Sequence, residues 1–177
     1  GCIRIPNKIW EDDRGHFTEV FNANAFFEHT KLDWFAGKQV NFSYSYKNVV
    51  RGMHFQRGIH AQAKFVRVLK GSIIDVVIDL DQLSKTFGEM ETFHLTPVSY
   101  SLYVPNTHAH GFWALEDTEF IYVCDRAYAP SAESGINPLD TSLPFPWLAD
   151  TAANPEELIL APKDRAHPKF RDVLLGL

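Results

Sequence analysis

Polar and apolar residues alternate strictly along residues 39–46. Gln39, Asn41, Ser43 and Ser45 fall on one face, and Val40, Phe42, Tyr44 and Tyr46 on the other. A repeat of two is that of a β-strand, whose successive side chains point to opposite sides of the sheet. Residues 3–10 alternate in part and predict an early strand, with Pro6 favouring a sheet edge. After a turn at residues 11–15, residues 16–21 predict a second strand with Phe17, Glu19 and Phe21 on one face. Further strands are predicted at residues 90–95, 100–104 and 119–128, the last placing Phe120, Tyr122, Cys124, Arg126 and Tyr128 on one side. Residues 24–32 are the best helical candidate of the first half, with Asn22 or Asn24 as the cap.

Residues 64–69 and 72–80 flank Lys70-Gly71, a pair suited to a two-residue hairpin turn. In that register Leu69 pairs with Ser72, Val66 with Asp75 and Lys64 with Val77. Lys64 and Asp75 become diagonal neighbours on the face that also carries Val66, Val68, Ile73 and Val77. A lysine and an aspartate on a buried face are expected to pair, because an unpaired buried charge is costly. From Pro130 onward, prolines at 130, 138, 144, 146, 155, 162 and 168 interrupt any long element. Residues 130–177 therefore read as a loop-rich wrap, with a short helix at residues 170–177. Many short strands and few helices predict one all-β domain over residues 1–177, an antiparallel sandwich or barrel. A jelly roll fits, since its concave inner face offers a ligand cavity.

Composition narrows the function. The chain has 177 residues, 45% hydrophobic and 14% aromatic, enough to bury a substantial core. Its net charge of −5 argues against general nucleic-acid binding, which needs a basic face. Cys2 and Cys124 make no disulfide framework. There is neither an apolar run of membrane-spanning length nor a signal-peptide pattern. The expectation is a cytoplasmic protein with neither nucleic-acid nor membrane partners.

Candidate chemistry concentrates in Arg51-Gly-Met-His54-Phe-Gln56 and Gln62-Ala-Lys64, where a histidine, cations and amides interrupt strand-like sequence. His54, His108 and His110 sit beside strand starts, whereas His16, His29, His60, His94 and His167 stand in contexts that suggest surface roles. A metal site of the His-x-His kind is disfavoured, because Phe55 and Gln56 follow His54 and Lys64 opposes a divalent cation. Acid–base chemistry suits the same residues: histidine titrates near neutrality, and a lysine stabilises an oxyanion. Removing a proton next to a carbonyl needs those two groups, and a tyrosine on the opposite wall would return a proton to the other face. On the residues alone, an enzyme and a plain binding pocket both remain open.

Taken together, Asp12-x-Arg14-Gly15-x-Phe17-x-Glu19, the Arg51–Lys64 motifs, Asp75-Val-Val-Ile-Asp79, Ser84-x-Thr-Phe-Gly88, Ala109-His-Gly-Phe112 and Tyr122 through Tyr128-x-Pro130 resemble the dTDP-4-dehydrorhamnose 3,5-epimerase family. The resemblance runs in order from about residue 9 to residue 170. It implies a cupin-type antiparallel jelly roll without metal or cofactor, usually a homodimer with shared active sites. Its expected substrate is a dTDP-linked 4-keto-6-deoxy sugar in deoxysugar biosynthesis. Matched position by position, it implies His54 as base, Lys64 as the residue steadying the enolate oxygen, Tyr122 as acid and Asp164 as the carboxylate partner of the base. It implies substrate contacts at Gln39, Asn41, Arg51, His110, Tyr128 and Glu133, with Arg14 and Glu19 reaching across the dimer. Asp75 becomes the group that orients Lys64. Ile136-Asn-Pro-Leu-Asp140 looks more like epimerases of antibiotic sugar pathways, some of which invert one carbon only. The competing expectations are a sugar-nucleotide 3,4-ketoisomerase and a non-catalytic cupin that binds a nucleotide sugar.

Overall fold

The computed structural model describes residues 1–32, 38–149 and 155–176. Its elements in order are β1 (Ile3–Pro6), β2 (Ile9–Asp12), β3 (Gly15–Thr18), α1 (Ala23–Thr30), β4 (Gln39–Ser45), β5 (Val50–Gln56), β6 (Lys64–Lys70), β7 (Ile73–Asp79), β8 (Met90–Leu95), β9 (Tyr100–Val104), β10 (His108–Ala114), β11 (Thr118–Cys124), β12 (Glu133–Gly135), α2 (Pro162–Arg165) and α3 (Phe170–Leu175). Two five-stranded sheets, ordered β1-β9-β6-β11-β4 and β12-β5-β10-β7-β8, form a sandwich, and β2-β3 is a separate hairpin. The strand pairs within these sheets are antiparallel.

Alternation explains what the sheets bury. Val66, Val68, Leu102, Val104 and Phe120 of the first sheet meet Ile73, Val77, Phe93, Leu95, Phe112 and Ala114 of the second in one interior cluster. The outer face of the first sheet carries Phe65, Tyr103 and Val123, covered by Phe26 of α1. That helix starts where Asn22 Oδ1 accepts from the Asn24 and Ala25 N–H groups, satisfying donors a first turn leaves free. The outer face of the second sheet (Val50, Met53, Phe55, Val76, Ile78) is covered by Ile136, Leu143, Phe145, Trp147, Leu158 and Val173. Asp140 ties this covering together, accepting from Ser142 N at 3.0 Å and from Phe170 N at 2.8 Å. The covering brings α2 in behind β5, where it matters for the site.

The hairpin expected across Lys70-Gly71 does not form. β6 pairs with β9 and β11, and β7 with β10 and β8, so the two strands belong to opposite sheets. The inward valines of both strands are still buried against each other, but face to face rather than side by side. Gly71, at φ +83°, carries the chain between sheets so close to Asp117 O that a Cβ would lie 2.4 Å from it. Other boundaries are shorter than the pattern suggested. The strand from 119 stops at Cys124, leaving Arg126 and Tyr128 on a loop, and the strand at 16–21 ends at Thr18. The face assignment of 39–46 holds. Gln39, Asn41 and Ser43 turn inward, whereas Val40 (61%) and Phe42 (60%) are exposed.

Candidate active site

The interior of the sandwich opens at one end into a cavity of about 370 Å³. Each sheet supplies one wall. From the first sheet come Gln39 and Asn41 of β4, Lys64 of β6 and Tyr122 of β11; from the second come Arg51 and His54 of β5 and His110 of β10. Tyr128, Glu133 and Lys163 close the rim from the C-terminal segments.

A bulge puts Arg51 and His54 on the same wall. Strict alternation would point residues three apart to opposite faces. Here His54 pairs with His110 and Arg51 with Phe112, so Gly52 and Met53 stand opposite the single Gly111. Gly52 has φ +121°, and a Cβ there would lie 2.6 Å from Gly111 Cα. Both positions therefore demand glycine, and Met53 is turned into the outer core. The bulge thus aims two polar side chains into the cavity from one short strand.

Behind His54 stands Asp164, buried on α2, with Oδ1 2.7 Å from His54 Nε2 and Oδ2 accepting from Gly52 N at 3.3 Å. Burial pushes the Asp164 carboxyl up, but the bond and charge of His54, the Gly52 N–H and His167 outweigh it, holding the group below the ordinary carboxylate range. An ionised carboxylate only accepts, so Nε2 carries the proton and Nδ1 keeps the lone pair. A second pair repeats the theme. His110 Nε2 lies 2.7 Å from Oδ2 of the fully buried Asp75, whose carboxyl burial raises against the opposing effects of His110 and Lys64. Asp75 thus hydrogen-bonds His110, and its link to Lys64 is electrostatic.

On the other wall, Lys64 pairs in register with Cys124, and Val66 with Tyr122, so Lys64 and Tyr122 are diagonal neighbours on the inward face. Burial lowers the Lys64 ammonium and raises the Tyr122 phenol. Tyr122 therefore stays a neutral proton donor near neutrality. The rim is a connected network: Gln39 Oε1 accepts from Tyr128 N at 2.7 Å, Tyr128 OH donates to Glu133 Oε2 at 2.6 Å, and Lys163 Nζ donates to Glu133 Oε1 at 2.6 Å. Arg51 is held by Ser45 Oγ at 3.0 Å and Tyr44 O at 3.1 Å.

Of the residues singled out from sequence, Gln39, Asn41, Arg51, His54, Lys64, His110, Tyr122, Tyr128 and Glu133 all line the cavity, with Asp164 and Asp75 directly behind. Arg14 and Glu19 do not reach it. Arg14, 89% exposed on the β2–β3 hairpin, pairs with Asp12 at 2.6 Å, and Glu19 accepts from Asn22 beside a separate cavity of about 150 Å³. His167 overturns its surface assignment: its side chain is 13% exposed and faces Asp164. Lys163 on the rim was legible only through its place beside Asp164. Gln56 and Gln62 also line the cavity while gripping the 125–129 loop, through Ala129 N and Arg126 O.

A histidine–carboxylate pair faces a tyrosine across the cavity, with a lysine beside the tyrosine, and groups of these types are able to move protons on a bound carbon acid. Similarity to known proteins makes the class specific. A family model described as dTDP-4-dehydrorhamnose 3,5-epimerase matches residues 1–172. The dTDP-4-dehydrorhamnose 3,5-epimerase of Methanothermobacter thermautotrophicus is 36% identical over 174 residues, covering 97% of this chain and 91% of that protein. The Mycobacterium tuberculosis epimerase structure superposes with TM-score 0.90 at 34% identity, covering 99% of this chain and 87% of that one. A Streptomyces bikiniensis 3'-monoepimerase solved with dTDP-quinovose superposes at 0.88 with 29% identity, covering 100% and 88%. The chain belongs to the dTDP-4-dehydrorhamnose 3,5-epimerase family, and the sandwich is its cupin-type jelly roll. It is an isomerase-class epimerase of deoxysugar biosynthesis. Among the described residues no helix is long and apolar enough to cross a membrane.

Proposed function

We propose that the chain binds a dTDP-linked 4-keto-6-deoxyhexose in the 370 Å³ cavity and inverts carbons next to the ketone by deprotonation and reprotonation. The observation that carries this reading is the division of labour between walls, with the His54–Asp164 pair on one sheet and Lys64 with Tyr122 on the other. The C4 ketone acidifies the protons on C3 and C5. His54 Nδ1 takes one of them, and Asp164 offsets the imidazolium charge that results. The carbonyl oxygen becomes an enolate oxygen, which the Lys64 ammonium stabilises. Tyr122 then delivers its phenolic proton to the opposite face of the same carbon, and the configuration is inverted. Proton and charge balance close when His54 and Tyr122 re-equilibrate with solvent, and neither an oxidant nor a metal enters the step. Arg51 and the Gln39–Asn41 edge suit the nucleotide diphosphate and sugar hydroxyls, while the Tyr128–Glu133–Lys163 network gates the rim.

The functional unit we propose is a homodimer with shared sites. β4 is a sheet edge whose outer face exposes Val40 and Phe42, and the β2–β3 hairpin exposes Trp10 and Phe17. Exposed apolar surface of this extent suits a second copy of the chain. Arg14 and Glu19, remote from their own pocket, then serve the neighbouring one. Light scattering at the mass of one chain would rule the dimer out. For the chemistry, the test is deuterium incorporation from D2O into a dTDP-4-keto-6-deoxyglucose, read by NMR carbon by carbon. His54→Ala is expected to abolish exchange at C3, and near-normal exchange would remove His54 as the base. The number of labelled carbons distinguishes single from double inversion.

A further inference from the structure

Among the described residues, His54, Asp164 and His167 converge so that their ligand atoms all lie within 4.8 Å of one another. His167 Nε2 is 3.7 Å from the same Oδ1 atom that His54 Nε2 reaches at 2.7 Å. The proton transfers above use His54 and Asp164 and leave His167 without a task. Its Nε2 is nevertheless inaccessible to solvent and has no hydrogen-bond partner. A Cβ at Gly135 would lie 2.5 Å from both Cδ2 and Nε2 of His167, so β12 omits a side chain where the edge of this ring sits. The His54 and His167 rings meet edge to face, with centroids 5.7 Å apart. Asp164 is buried, unlike the surface acids that cluster without consequence.

We propose that these three residues bind a divalent transition metal, zinc above all, and that its occupancy switches the enzyme off. Two imidazole nitrogens and one carboxylate oxygen make a donor set that zinc accepts, whereas magnesium and calcium favour oxygen. Zinc bonds of about 2.0–2.2 Å place donor pairs roughly 3.3 Å apart around a tetrahedron. The separations of 2.7 and 3.7 Å to Asp164 bracket that value, and the two histidine nitrogens lie within 4.8 Å of each other, so binding draws the three donors together. The cation nearest in sequence, Lys163, is already neutralised by Glu133 at 2.6 Å. Binding at Nε2 shifts the single proton of the neutral His54 ring to Nδ1, so the lone pair that the proposed base uses is no longer available. The imidazole is then fixed, and the Asp164 charge is spent on the ion rather than on the imidazolium that catalysis creates. The switch rests on the proposed role of His54; the metal site does not.

The experiment titrates the intact protein with Co2+, whose visible absorption intensifies in tetrahedral nitrogen–oxygen sites, and then displaces it with Zn2+. In parallel, deuterium exchange is followed with zinc and after a chelator. Wild type is expected to develop the cobalt band, to lose exchange with zinc and to recover it with the chelator, while Mg2+ has no effect. His167→Ala is expected to retain enough metal-free exchange for inhibition to be measured, to weaken cobalt and zinc binding by at least about tenfold and to shift zinc inhibition equally. His167→Gln, of similar bulk, carries the test if the alanine variant does not fold. Absence of the cobalt band, or binding unchanged by either substitution, overturns the site. Metal bound through His167 while exchange runs at full rate overturns the switch, and with it His54 as the base.

Discussion

The two ends of the sandwich interior are built from the same strands on the same alternation, yet they differ in kind. At one end Val68, Ile73, Leu95 and Ala114 meet with essentially no solvent exposure. At the other, two inward steps along β6 and β10, stand Lys64 and His110, joined by Tyr122 of β11 and His54 of β5. Alternation decides which way a side chain faces; distance along the strand decides whether it meets a dry core or an open cavity. The dry end holds the two sheets in place. The open end can then display charged groups at fixed separations, because rigid strands position their rotamers.

Substitutions at the two ends should separate these roles. The largest effect is expected from Tyr122→Phe, which removes only a hydroxyl. Inverted product is predicted to form about 10²–10⁴-fold more slowly, with the urea midpoint nearly unchanged and His54-dependent deuterium exchange retained. Exchange lost together with inversion would mean that both walls act in one concerted step. At the dry end, Leu102→Ala should cost about 2–5 kcal/mol of stability in urea unfolding, with activity per folded molecule preserved. An equal fall in both would show that the cavity and the core are not separable.

The smallest effect concerns the covering of the outer core. Burial raises the Asp140 carboxyl, but hydrogen bonds from Ser142 and Phe170, and the charge of Lys169, hold it below its ordinary value. Its folded-state pKa lies below the unfolded value of about 3.9. The stability it contributes is therefore complete above that pH and is lost as pH falls through the folded value. Asp140→Asn should flatten the acid limb of the urea midpoint against pH. An unchanged slope would place the acid sensitivity elsewhere.

The resemblance of motifs was enough to name most cavity residues, because a family's pocket side chains are specified by type and order along the chain. His54, Lys64 and Tyr122 were each legible in this way. The Lys64–Asp75 relation was anticipated for the wrong reason. A hairpin register put them side by side on one sheet, whereas they face each other from opposite sheets. Both arrangements bury the same valines, so hydrophobic pattern alone could not choose between them. Alternation alone was equally unable to say which face of β4 turns inward. A polar face looks solvated until a cavity lies under it, and an apolar face looks buried until the strand proves to be an edge.

His167 shows the same limit at a single residue. Nothing in Ala166-His167-Pro168 separates a surface histidine from one buried against a carboxylate, because the difference is made by Gly135 and by the path of the C-terminal covering. By itself the sequence determined the strand periodicity, the all-β class, the glycines that permit the β5 bulge and the identity of most polar groups that line the cavity. These are local properties, dictated by sterics and side-chain chemistry. Only the tertiary structure decided which sheet each strand joins, which face meets water and which remote residues converge on His54. Those depend on closing one sheet over another, and many sequences of contacts satisfy the same local pattern before that closure selects one.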